Sequence, residues 1–93
     1  MASLENTLKE VFREIKTDID RIENNGDEIY IFLKNSYSYG HIYALGFKVI
    51  RKLAIKGVKA EFEKPIEIKS RDSVLIKIKN NNDNDRSVYI VSG

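Results

Sequence analysis

Ninety-three residues, 42% hydrophobic and 32% charged with a net charge of only +2, make one domain over residues 1–93 with a single modest core. The chain has no cysteine, which excludes disulfide frameworks, thiolate metal centres and cysteine nucleophiles and fits a reducing cytoplasm. The longest apolar run, IYIFL at 29–33, falls far short of the roughly 20 residues that span a bilayer, and MASLENTLKE lacks a cationic-then-apolar leader pattern, so a soluble, cytoplasmic chain without a membrane partner is expected.

Leu4, Leu8, Val11, Phe12, Ile15, Ile19 and Ile22 recur at spacings of three and four. They predict one amphipathic helix over 4–23, with Ser3 as N-cap and NNG at 24–26 as its stop. EIYIFLK is apolar on both faces and reads as an interior strand. A second helix is predicted from about Ser38 to Lys56, closed by Gly57, its buried stripe being Tyr39, Ile42, Tyr43, Phe47, Ile50, Leu53 and Ala54 with Gly46 on the same side.

From Val58 the period falls to two. Val58, Ala60, Phe62, Ile66 and Ile68 are expected on one face and Lys59, Glu61, Glu63, Glu67 and Lys69 on the other, with Pro65 marking an edge or a bend. SRDS separates this from a strand carrying Val74, Ile76 and Ile78; NNNDND at 80–85 is a polar loop, and RSVYIVS is the last strand. The order α-β-α-β(β)-β-β predicts a two-layer α+β sandwich: a mixed four- to five-stranded sheet with both helices on one face, the strand after the second helix returning parallel beside or near the first.

Known catalytic signatures are missing from the sequence. It holds no Gly-rich phosphate loop, no H-E-x-x-H and no G-x-S-x-G. One histidine cannot build a His-rich metal centre, and NNNDNDR has clustered oxygen ligands without the anchoring bidentate carboxylate of a calcium loop. Neither an enzyme nor a cofactor is expected. On the helical wheel His41 projects with Tyr37, Lys48 and Lys52, opposite the predicted core stripe, and no acidic residue between Asn35 and Lys59 could orient it as a base.

Charge is unevenly spread. Residues 1–33 hold four Lys/Arg against eight Asp/Glu, whereas residues 34–93 hold twelve against six. Tyr37, His41, Lys48, Arg51, Lys52 and Lys56 share the outer face of the second helix with no acidic residue among them, a pattern suited to phosphate or to an acidic protein partner.

The run EIYIFLKNSYSYGHIYALGFKVIRKLAIKGVKAEFEK, residues 28–64, resembles the first strand, first helix and second strand of Alba-like archaeal chromatin and RNA-binding proteins. The family's Gly/Arg-rich motif and second helix have no counterpart in EKPIEIKSRDS. The resemblance implies that Lys34 contacts nucleic acid and that Lys77, Lys79 and Arg86 lie on a groove-probing hairpin.

Two functional expectations follow. The first is a DNA- or RNA-binding protein with little sequence specificity, using Lys34, Lys48, Arg51, Lys52, Lys56, Lys77, Lys79 and Arg86, with Tyr37 and His41 as further contacts. The second is a non-enzymatic interaction or assembly module. A homodimer is expected in addition, burying a sheet edge or an apolar patch of Tyr30, Phe32, Leu75, Tyr89 and Val91 on the sheet side away from the helices.

Overall fold

The computed structural model describes residues 3–63, 66–79 and 85–93. Among them the chain forms α1 (Leu4–Glu14), β1 (Ile19–Asn24), β2 (Glu28–Leu33), α2 (Tyr39–Ile55), β3 (Ala60–Phe62), β4 (Ile66–Ile68), β5 (Arg71–Ile78) and β6 (Arg86–Val91). The fold is α+β, and its open mixed sheet has the order β1-β2-β6-β5-β3, with β4 also pairing β5. One core cluster joins Leu8, Val11 and Phe12 of α1, Ile42, Leu45, Val49 and Leu53 of α2, and the inward residues of β2, β5 and β6.

The first helix is shorter than its apolar periodicity predicts. Ser3 caps it by accepting the Asn6 N–H, but the helix stops at Glu14, where Lys16 turns left-handed (φ 56°) and the Thr17 N–H reaches back to the Phe12 carbonyl. That bond pattern is the usual helix terminus with Lys16 in the place normally taken by glycine. Residues 19–24 then form a strand antiparallel to β2.

Ile19 and Ile22, three apart, both reach the core because the strand is irregular between them. Ile19 pairs with Leu33 and Arg21 with Phe32, so Asp20 is an extra residue on the β1 side. An inserted residue restores to one face two side chains that regular alternation would place on opposite faces. The NNG stretch turns the β1–β2 hairpin instead of ending a helix: Gly26 has φ 83° and its N–H donates to Asn24 Oδ1.

The parallel neighbour of β2 is β6, with Tyr30 opposite Tyr89 and Phe32 opposite Val91; the strand following α2 lies at the far edge. The strand after the crossover helix does run parallel to β2, as expected, but β6 and β5 lie between them, which corrects the expectation that it returns beside or near β2. Placing β6 there puts two strands of VYIV and IYIFL character side by side, covered on the core face by both helices.

A second register shift reorders the far edge. Ala60 and Phe62 pair with Ile78 and Ile76 on the helix side, whereas Ile66 and Ile68 pair with Ser73 and Arg71. Ser73 belongs to the row Phe32–Val91–Ser73 on the other face, so Ile66 and Ile68 face away from the helices, contrary to the alternation read from sequence. The predicted turning point, Pro65, lies outside the described residues, as does most of the predicted 80–85 loop.

The buried stripe of α2 is Ile42, Leu45, Gly46, Val49 and Leu53. Tyr39 (58% exposed), Phe47 (43%) and Ala54 face outward, and Tyr43 and Ile50 are half-buried, so the helix is rotated from the predicted stripe toward Leu45 and Val49. The physical reason is that α2 is covered on two sides: the sheet lies beneath it and α1 lies along one flank. A stripe drawn for burial against a sheet alone misses the second contact.

Candidate nucleic-acid interface

Tyr30, Phe32, Leu75, Tyr89 and Val91 do share the sheet face away from the helices. They are less exposed than the sequence suggested. Phe32 is 2% exposed because the Arg21 guanidinium lies 4.0 Å from its ring centre and the Lys69 ammonium 5.4 Å; Val91 is buried, and Tyr30, Leu75 and Tyr89 are half-buried. Tyr30 and Tyr89 stack on each other at 4.5 Å, and the Tyr89 hydroxyl donates to Glu28 Oε2. Burial and then the neighbouring Glu28 push the Tyr89 phenol up from its ordinary value of 10.0. Cationic stems and ring stacking thus cover much of the apolar surface within one chain.

The cations expected to bind phosphate separate into two groups. In the first, all but Lys77 have a partner among the described residues, and Lys77 is half-buried. Lys56 is half-buried between Glu10 and Glu14 of α1, with Glu14 Oε2 at 2.9 Å. Hydrogen bonds to those carboxylates hold the Lys56 ammonium above its usual range, and Lys56 in turn holds the Glu10 carboxyl below its own. Lys52 lies 3.9 Å from Glu14. Lys79 sits 3.2 Å from Asp85 and 3.5 Å from Glu61, which raise its pKa in that order. Both Nε and Nη2 of Arg86 donate to the Gly26 carbonyl, at 3.1 and 2.7 Å, tying β6 to the β1–β2 turn. Lys77 is half-buried on the sheet face between its register partners Glu61 and Ser87.

The helix face without acids is therefore met by acids from elsewhere in the chain. The negative first third and the positive remainder, read in sequence as a sign of an external partner, are in part complementary to each other across α1 and α2. Periodicity within one helix gave no sign of this, because the contact is set by how α1 packs along α2.

The second group comprises Lys34, Lys48 and Arg51, all exposed and without an ion pair among the described residues. Lys34 follows β2 and donates its backbone N–H to the Asp18 carbonyl. Lys48 stands between two grooves on the α1 side of α2. One is lined by Ile15, Lys48, Arg51, Lys52 and Ile55, and the other by Thr17, Tyr37, His41, Ala44, Leu45 and Lys48. No described residue lining either groove is acidic.

His41 is exposed in the second groove, its backbone N–H capped by Ser38 Oγ at 3.4 Å. Tyr37 is half-buried against the core, and its N–H donates to Ser92 Oγ at 2.6 Å, which ties it to the residue just after β6. Sequence reasoning found Lys48, Arg51, Lys52, Tyr37 and His41; it placed Ile15 in the apolar stripe of the first helix and gave no signal for Thr17, which follows the end of α1. Among the described residues no group of three His, Cys, Asp or Glu side chains is placed to hold a metal, and no helix is long and apolar enough to cross a membrane. Neither a protein-family model nor a curated protein matches this sequence.

Proposed function

We propose that the chain is a small nucleic-acid-binding protein with little sequence specificity, which holds phosphates along the α1 side of α2. The observation that carries the reading is the pair of grooves flanking Lys48, which present Lys48 and Arg51 together with Lys52, whose ammonium is shared with Glu14 at 3.9 Å, while no described lining residue is acidic. Exposed cations spaced along one helix face suit a repeating polyanion, and contacts to phosphate carry no sequence information, which suits low specificity. Lys34 is a fourth candidate contact, and Tyr37 and His41 border the same surface. Lys56, Lys79 and Arg86 serve the fold and are left out of the interface.

Binding to generic duplex DNA and to single-stranded RNA across a salt series tests this. Three to four phosphate contacts on duplex DNA give a log-log salt slope of about −0.9 for each contact. Lys48→Glu with Arg51→Glu removes most binding while the fold persists, because both side chains are exposed. Lack of binding at low salt to either nucleic acid, or an unchanged slope in the double variant, refutes the reading.

An assembly role is the second reading, and it has its own support. Tyr39 and Phe47 are exposed aromatic groups on the opposite flank of α2; Tyr39 stacks on Tyr43, which meets Phe47 and Phe62 with tilted rings.

A further inference from the structure

The outer edge of β3 is unpaired among the described residues. Lys59 accepts through its carbonyl from the Lys79 N–H, and the Glu63 N–H donates to the Leu75 carbonyl, so residues 59, 61 and 63 turn their backbone groups inward to β5. Ala60 and Phe62, alternate residues of the same strand, turn theirs outward. Such an edge is a template for another strand.

We propose that the other strand is β3 of a second copy, joined antiparallel about a two-fold axis at Ala60, so that two sheets become one. An axis normal to the sheet keeps every residue on its own face. With Ala60 on that axis, Ala60 meets the partner's Ala60, Lys59 meets the partner's Glu61 on the open face, and Val58 meets the partner's Phe62 on the helix face. Small residues meet at the axis, opposite charges meet on one face and apolar groups meet on the other. Moving the axis one residue to Glu61 sets that carboxylate against itself, and moving it to Phe62 sets Glu61 against the partner's Glu63, both of which place like charges directly opposite. The strand is thus self-complementary in one register, which is why a second copy, rather than an unrelated strand, is the occupant.

The flanking helix supports the same pairing. Phe62 stacks on Phe47 with ring centres 4.7 Å apart and planes within 4°, and Tyr43 closes on Phe62 at 4.7 Å. Apolar surface therefore runs from α2 to the edge strand, and the partner's Val58 extends it. This surface lies on the flank of α2 opposite the grooves, so the pairing stands whether or not the chain binds nucleic acid.

The test is molar mass by light scattering on gel filtration over a concentration series. The wild type reaches twice the chain's 10.7 kDa at the high end. Lys59→Glu raises the dissociation constant by about tenfold or more, since both copies then face like charges, and the swap Lys59→Glu with Glu61→Lys recovers it to within about threefold. Ala60→Pro removes an outward N–H that no described residue uses, a change an edge strand accommodates, and it gives a monomer. A wild type that stays monomeric throughout, a Lys59→Glu protein that dimerises as before, or an Ala60→Pro protein that remains dimeric overturns the proposal. Should the swap fail to fold by circular dichroism, Ala60→Pro alone decides.

Discussion

A Cβ on Gly46 would lie 2.7 Å from Cε2 of Phe62 and 3.2 Å from Cγ2 of Val74. The missing side chain is what lets the edge strand lay an aromatic ring flat against α2. Gly46→Ala therefore sets two effects against each other: helix propensity improves by about 1 kcal/mol, while crowding in a packed contact costs about 1–3 kcal/mol. We expect a net loss of about 1 kcal/mol in urea unfolding, because the ring is held from the other side by Tyr43 and Phe47. In a Phe62→Leu background the sign reverses, and alanine stabilises. Additive effects in the double-mutant cycle would show that the two residues do not press on each other.

The bridge from Lys56 to Glu10 and Glu14 ties α1 to α2, and its pH dependence has two limbs. The Glu10 pKa is lowered from 4.5 by Lys56, so its contribution is present above 4.5 and fades as pH falls through the lower, folded value. The Lys56 pKa is raised from 10.5, so its contribution is present below 10.5 and fades as pH rises through the higher, folded value. Lys56→Gln should lower the melting temperature most between those limits and least beyond either. It should leave nucleic-acid affinity nearly unchanged, because the ammonium is already occupied. A uniform loss across pH would mean that the side chain matters only for packing.

The two helix ends show what the sequence could and could not signal. Gly57 adopts φ 80° after α2, the Gly57 N–H bonds to Ala54 and the Val58 N–H to Leu53, and glycine at that place announces the stop. Lys16 does the same work after α1 with no compositional signal, since a lysine reads as helix interior. The strands were legible wherever alternation was unbroken, as in β2, β5 and β6, whereas β1 and the β3–β4 edge each contain a register shift that breaks it. The exposed cations of α2 were legible from the wheel. Their partial neutralisation was not, because it depends on which face of α1 packs along α2.

Lys16→Gly separates the two descriptions of this segment by sign. At φ 56° an L-residue carries a backbone cost that glycine avoids, so the substitution should stabilise the protein by about 1 kcal/mol. In the interior of a helix continuing to residue 23, the same change would destabilise by about 1 kcal/mol. Thermal unfolding monitored by circular dichroism reads the sign directly.

Deleting Asp20 tests the strand itself. Asp20 is the extra residue between the Ile19–Leu33 and Arg21–Phe32 pairs, and among the described residues its carboxylate pairs with the Arg21 side chain alone, at 3.3 Å. Without it, Ile19 and Ile22 become alternate residues of a regular strand and still face the core, and Arg21 still covers Phe32. The register with β2 is kept. The deletion should change stability by less than about 1 kcal/mol, the modest effect expected when a surface irregularity is removed without loss of a core contact. Deleting Ile22 instead removes a residue packed against the core and brings Glu23 into its place, so that variant should unfold far more readily. If the two deletions were equally damaging, residues 19–24 would not be held as a strand with one residue to spare, and the account of why threefold spacing can mark a sheet would fall with it.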